Sequence, residues 1–182
     1  KFYPEENIKI IGALKYDSLF SVKKNIDKIR SEIFKNFDLK GKRIILLAPS
    51  VNDIEDIMDF ISSIKLPSNW KFVLSAHPAS DIGKISSYMR KANMHKFIVI
   101  SSGVSTQELL TISDIVVCGY SSVALEAAFF EIPSVRITPR GRPPLIDQEN
   151  GVPIFENNNY FSQFMESFFN LENEGSNHIE LK

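Results

Sequence analysis

"SDIVVCGYSSVALEAAFFEIPSV", residues 113–135, is the stretch that decides the fold. An apolar run, Ile115 to Cys118, ends in Gly119-Tyr120-Ser121-Ser122. A helix-like segment follows at once, and Ser134 opens a further apolar run. Strands covered on both faces read as unbroken hydrophobic runs, so this is the signature of a strand, a crossover helix and a parallel strand.

The same alternation extends in both directions. "RIILLA" (43–48), "KFVLSA" (71–76), "KFIVIS" (96–101), "SVRI" (134–137) and a short "VPIF" (152–155) are the other predicted strands. Between them, residues 52–65 place Ile54, Ile57, Met58, Ile61 and Ile64 at helical spacing, with Asn52 and Glu55 as a capping box. A helix is predicted over about 81–93, and Ser105-Thr106-Gln107-Glu108 opens another. The last helix, from about 160 to 171, turns Phe161, Phe164, Met165 and Phe168 inward. Residues 21–38 form one amphipathic helix with Val22, Ile26, Ile29, Ile33 and Phe37 on its packing face. Right-handed crossovers then give an α/β fold, a doubly wound parallel sheet of Rossmann type. The expected organisation is a connecting segment (1–20), the α/β domain (21–172) and a tail (173–182) containing His178.

The bulk composition suits a packed globule of 182 residues, 43% hydrophobic and 24% charged. A net charge of -1 gives no basic surplus for nucleic acid, which is not an expected partner. The one cysteine, Cys118, excludes an internal disulfide and sits in an apolar run, as a small core residue would. No apolar run approaches the ~18 residues of a spanning helix. Because the sequence opens at Lys1, we expect it to be the second half of a longer protein.

In doubly wound folds ligands sit beyond the carboxyl ends of the strands. Two serines at the mouth of a helix suit an anion there, since helix N-termini expose unpaired N–H groups. Gly119 lets the backbone approach closely, and Glu126, one turn after Ser122, suits a neighbouring diol. Phosphate on Ser121 and Ser122 with ribose on Glu126 describes one nucleotide. A capping serine with a glutamate favouring the helix dipole gives the same local pattern. His77-Pro78 ends a strand at the same edge, where an imidazole can donate to a phosphate leaving group.

The pair "LSAHP" (74–78) and "SDIVVCGYSSVALEAAFFEIPSVRI" (113–137) resembles the carboxyl-terminal, donor-binding domain of GT-B glycosyltransferases. The likeness is to capsule and teichoic-acid polymer transferases, bacterial sialyltransferases with "HP" and "SS" motifs, and non-hydrolysing UDP-N-acetylglucosamine 2-epimerases. "IGALKYDSL" (11–19) is similar to the interdomain segment of that group. The resemblance covers about residues 8 to 170. It implies that His77, Ser121 and Ser122 contact donor phosphates and that Glu126 contacts ribose hydroxyls. Where epimerases carry an Asp-Ser-Gly-Gly type loop, this chain has Gly119-Tyr120-Ser121-Ser122, which favours a transferase.

The expected function is therefore donor binding in a metal-independent glycosyltransferase of surface polysaccharide synthesis. No Asp-x-Asp metal motif occurs, and no cofactor beyond the nucleotide-sugar substrate is expected. An epimerase-like domain and a non-catalytic nucleotide-binding module are the alternatives. His77 is the candidate catalytic residue. Ser50 and Asn52 are expected to reach the nucleotide from the far side, and Gly103 and Val104 to bracket the base. Arg136, Arg140 and Arg142 are candidates for gripping a diphosphate or an anionic acceptor. His95 lies at the wrong edge and reads as surface. The expected partners are the nucleotide-sugar donor, a preceding acceptor domain that carries the base and, through the longer protein, the membrane periphery. The expected location is cytoplasmic, at the inner face of the membrane. The isolated domain is expected to turn over little.

Overall fold

A computed structural model describes residues 16–77, 79–91, 97–139 and 151–173. The expectations for Pro78, His95, Arg140, Arg142, His178 and residues 1–15 lie outside the described residues.

The described strands are β1 (Arg43–Leu47), β2 (Trp70–Ser75), β3 (Phe97–Ile100), β4 (Ile115–Cys118), β5 (Ser134–Ile137) and β6 (Ile154–Phe155). They form one sheet in the order β3-β2-β1-β4-β5-β6, with every pairing parallel. Leu47 is paired with Leu74 on one side and Val117 on the other, which sets β1 at the centre. The direction of winding reverses between β1 and β4. Their carboxyl ends part there and leave a crevice.

The helices are α1 (Asp17–Lys24), α2 (Ile26–Phe37), α3 (Ile54–Ser62), α4 (Ile82–Lys91), α5 (Thr106–Leu110), α6 (Val123–Phe129) and α7 (Asn158–Asn173). Alternate residues of each strand feed two cores. Ile45, Leu47, Phe72, Leu74, Val117 and Ile137 pack beneath α3, α4 and α7, where Ile57, Met58, Ile61, Phe161, Met165 and Phe168 are buried. Ile44, Leu46, Val73, Val116 and Cys118 face Ile33, Leu109, Leu110, Ala124 and Ala127 of α2, α5 and α6.

Two local expectations need correction. The single helix over 21–38 is two, because Asn25 at φ -110° and ψ 20° interrupts it. The Asn25 side-chain amide donates to the Ser21 carbonyl at 2.9 Å, a bond that competes with helix continuation. Asn52 is not the cap of α3; that position belongs to Asp53. The capping box at Ser105 is present as expected: the Glu108 amide donates to Ser105 Oγ at 3.2 Å, and the Ser105 amide to Glu108 Oε2 at 2.7 Å.

Candidate functional site

The crevice between β1 and β4 opens into a cavity of about 300 Å³ on the α5–α6 side of the sheet. Each wall comes from a different crossover. Ala48 and Pro49 follow β1, Ser75 to His77 end β2, Thr106 and Gln107 open α5, and Ser121, Val123 and Glu126 belong to the turn and helix after β4. His77, Ser121 and Glu126, far apart in sequence or on separate turns, therefore line one space.

The side chains are held in defined states. Nδ1 of the exposed His77 accepts a hydrogen bond from the Ala79 amide at 3.1 Å. The neutral ring then carries its proton on Nε2, which is left to donate. Ser121 Oγ accepts from the Val123 amide at 3.3 Å, so its own proton can point elsewhere. Glu126 is only 6% exposed although it lines the cavity. Ser75 and Thr106 share a hydroxyl hydrogen bond of 2.7 Å, which ties the first turn of α5 to the end of β2. Gln107 Oε1 accepts from Ser18 Oγ at 2.6 Å, so α1 is fastened to the same wall. Phe20 of α1 meets Phe129 of α6 edge to face at 5.0 Å.

The helix after the serine turn is short. α6 has seven residues, and its N-cap Ser122, near φ -71° and ψ -1°, makes no side-chain capping bond. Its dipole is correspondingly a minor source of field, because that effect grows from aligned peptides and fades within a turn. The polar groups that line the cavity include the side chains of His77, Ser121 and Glu126 rather than a long helix end.

Several candidate residues stand away from the cavity. Ser122 is adjacent to its wall but does not line it. The Ser50 amide donates to Asp53 Oδ1 at 2.6 Å, and Ser50 Oγ accepts from the Asn52 amide at 3.4 Å. Asn52 lines a second cavity of about 390 Å³ between α3 and α4, on the opposite face of the sheet. Gly103 has φ +81° with open space around it, and Val104 packs on the core under α2, α5 and α6. Arg136 is not a loop arginine at all. It is fully buried in β5, and its guanidinium donates to the carbonyls of Gly119 and Ser121.

Asp53 belongs to the site's frame without any mark in the sequence. It is 1% exposed, and its Oδ2 accepts from the Tyr120 amide at 2.9 Å. The close approach that Gly119 permits is to this carboxylate. Thr106 and Gln107 are further wall residues outside the sequence expectations. Their capping box is visible in the sequence, and only the strand order brings it beside β2. Among the described residues, no three His, Cys, Asp or Glu side chains gather as a metal would require. Among the same residues, no helix is long and apolar enough to cross a membrane.

No protein-family model and no curated protein matches the chain. Solved structures do. The wall teichoic acid polymerase TagF is 21% identical with a TM-score of 0.62, over 90% of this chain and 43% of that one. The UDP-GlcNAc 2-epimerase from Neisseria meningitidis, solved bound to UDP-GlcNAc, is 13% identical with a TM-score of 0.66, over 94% and 49%. The C-terminal domain of LpcC, a group 1 family glycosyltransferase from Francisella tularensis, is 16% identical with a TM-score of 0.56, over 75% and 80%. The chain thus spans less than half the length of the first two. It has the Rossmann-like α/β fold of one half of a GT-B glycosyltransferase.

Proposed function

We propose that the cavity at the β1–β4 reversal binds the nucleotide part of an activated donor for glycosyl or glycerophosphate-type transfer, in surface polysaccharide synthesis. The observation that carries this reading is the convergence of His77, Ser121 and Glu126 on one space of about 300 Å³. That volume is at the lower end for ligand sites, and it suits a phosphate and a ribose with the base and the transferred group extending outward. In the donor complex, Ser121 Oγ–H and His77 Nε2–H donate to phosphate oxygens, and the Glu126 carboxylate accepts from the ribose diol. Charge builds on the departing phosphate as the transferred group leaves. Donors already aimed at those oxygens stabilise that charge more than they stabilise the ground state. The base that activates the acceptor is assigned to a preceding domain, so the chain by itself binds donor more readily than it turns it over.

The fold supports this reading. Its structural neighbours include transferases and an epimerase solved with a nucleotide sugar bound. The test is thermal. A ligand that binds only the folded state stabilises it by about 2.7 kcal/mol at 100 times Kd. CMP, CDP, UMP or UDP should raise the melting temperature, and free ribose should not. No shift with any of the four at millimolar concentration sinks the donor-site reading.

A further inference from the structure

We propose that Arg136 and Asp53 are positioning residues of this site, acting together on the serine turn through one peptide plane; the inference rests on the donor-site reading above. The C=O of Gly119 and the N–H of Tyr120 belong to one peptide, which is trans like every described peptide bond. In a trans peptide the two groups point in opposite directions. Arg136 Nη1 takes the carbonyl, and Asp53 Oδ2 takes the amide at 2.9 Å. The plane is gripped at both ends. Arg136 Nη2 also donates to the Ser121 carbonyl at 3.3 Å, so the peptide after Ser121 is held by the same fork.

Topology gives the grip a direction. β5, which carries Arg136, lies on the far side of β4 from β1 and β2, whose ends line the cavity. Asp53 approaches from the β1 side, where it also accepts from the Ser50 amide at 2.6 Å. The turn is pulled from both flanks, and Ser121 between them faces the cavity.

The arrangement is expensive as mere scaffolding. Arg136 is 0% exposed, its Nε has no hydrogen-bond partner, and it makes no ion pair among the described residues. A buried cation satisfied only by carbonyls carries a desolvation cost that an apolar residue would not. Neither side chain lines the cavity; both bond to backbone groups of the turn that carries Ser121. Geometry is then what the pair contributes, and the planar fork holds two carbonyls in a fixed arrangement that a freely rotating ammonium does not impose.

The experiment compares nucleotide with nucleoside. Dissociation constants of CMP, UMP, cytidine and uridine are measured for the wild type, Arg136→Lys and Asp53→Asn. Each variant should bind the nucleotides about tenfold more weakly, with nucleoside binding changed less than about twofold. A folded Arg136→Lys that binds CMP and UMP like the wild type overturns the positioning role. So does a loss shared equally by nucleotide and nucleoside, which marks a general structural defect. Wild-type binding with indifferent variants defeats this inference alone; no wild-type binding defeats the donor-site reading, and this one with it. Should both variants fail to fold, hydrogen exchange in the wild type decides. Saturating nucleotide should slow exchange of the Tyr120 amide, and unchanged exchange counts against the clamp.

Discussion

Gly119 and Asp53 leave no room for a side chain between them. A Cβ on Gly119 would lie 2.7 Å from Asp53 Cγ and 3.1 Å from Asp53 Cβ. Gly119 is not among the glycines with positive φ, so the constraint there is purely steric. Gly119→Ala should therefore destabilise the fold by about 1–3 kcal/mol through overpacking. Asp53→Ala should cost about 2–4 kcal/mol, because the amides of Ser50 and Tyr120 lose their acceptor. In the double variant the two costs should sum to less than their separate values, since the carboxylate that clashes is gone. Urea denaturation of the three variants gives the cycle, and strict additivity would refute the contact.

Glu126→Gln tests the diol contact. The substitution keeps the shape of a buried side chain and removes its charge. Nucleotide affinity should fall by roughly 1–2 kcal/mol. Replacing the ribose by deoxyribose in the ligand should then cost the variant less than it costs the wild type. Calorimetry with both ligands measures the difference.

The imidazole of His77 can be divided into its two nitrogens. An asparagine can present an acceptor near the place of Nδ1, which takes the Ala79 amide, but nothing near the place of Nε2. His77→Asn should keep the loop and the melting temperature, shifting stability by less than about 0.5 kcal/mol as at other exposed sites. It should weaken nucleotide binding several-fold, in line with one lost hydrogen bond of about 1 kcal/mol. His77→Gln, whose amide reaches toward the Nε2 position, should recover part of that loss.

Cys118 supplies a pH test. Burial pushes its thiol up to about 11 from an ordinary 9.0, while Arg136 pulls it the other way and Asp53 adds to the rise. The folded chain thus keeps a proton that the unfolded chain releases above pH 9. The native state binds more protons in that window, so stability falls as pH rises from 9 toward 11. Holding the proton that much more tightly amounts to roughly 2–3 kcal/mol lost across the window. Cys118→Ala should be less stable at pH 8 from its small cavity and should show a shallower alkaline decline. In the wild type the buried thiol should resist iodoacetamide at pH 8 until the chain unfolds, and nucleotide should slow the reaction further.

Much of the fold was legible because parallel strands covered on both faces carry no polar alternation to obscure them. Arg43–Leu47, Ile115–Cys118 and Ser134–Ile137 stand where their apolar runs begin and end, within a residue. The gathering of His77, Ser121 and Glu126 was legible for a related reason, since strand ends in a doubly wound sheet share one edge. What the linear sequence does not encode is the face of the sheet toward which a loop residue turns. Asn52 stands only three residues from Pro49, yet the two line cavities on opposite faces, because the chain crosses the sheet edge between them. Arg136 shows a different limit. Its neighbours Val135 and Ile137 mark it as a strand residue, but the carbonyls that justify its burial belong to a turn 15 to 17 positions earlier. Asp53 is the mirror case, with a partner 67 positions away.

The bond between Ser18 and Gln107 makes α1 a brace. It joins the first described helix directly to the cavity wall, with Phe20 against Phe129 as a second point of attachment, on α6. The wall that carries Gln107 is therefore held by a helix outside the sheet as well as by the Ser75–Thr106 bond to the end of β2.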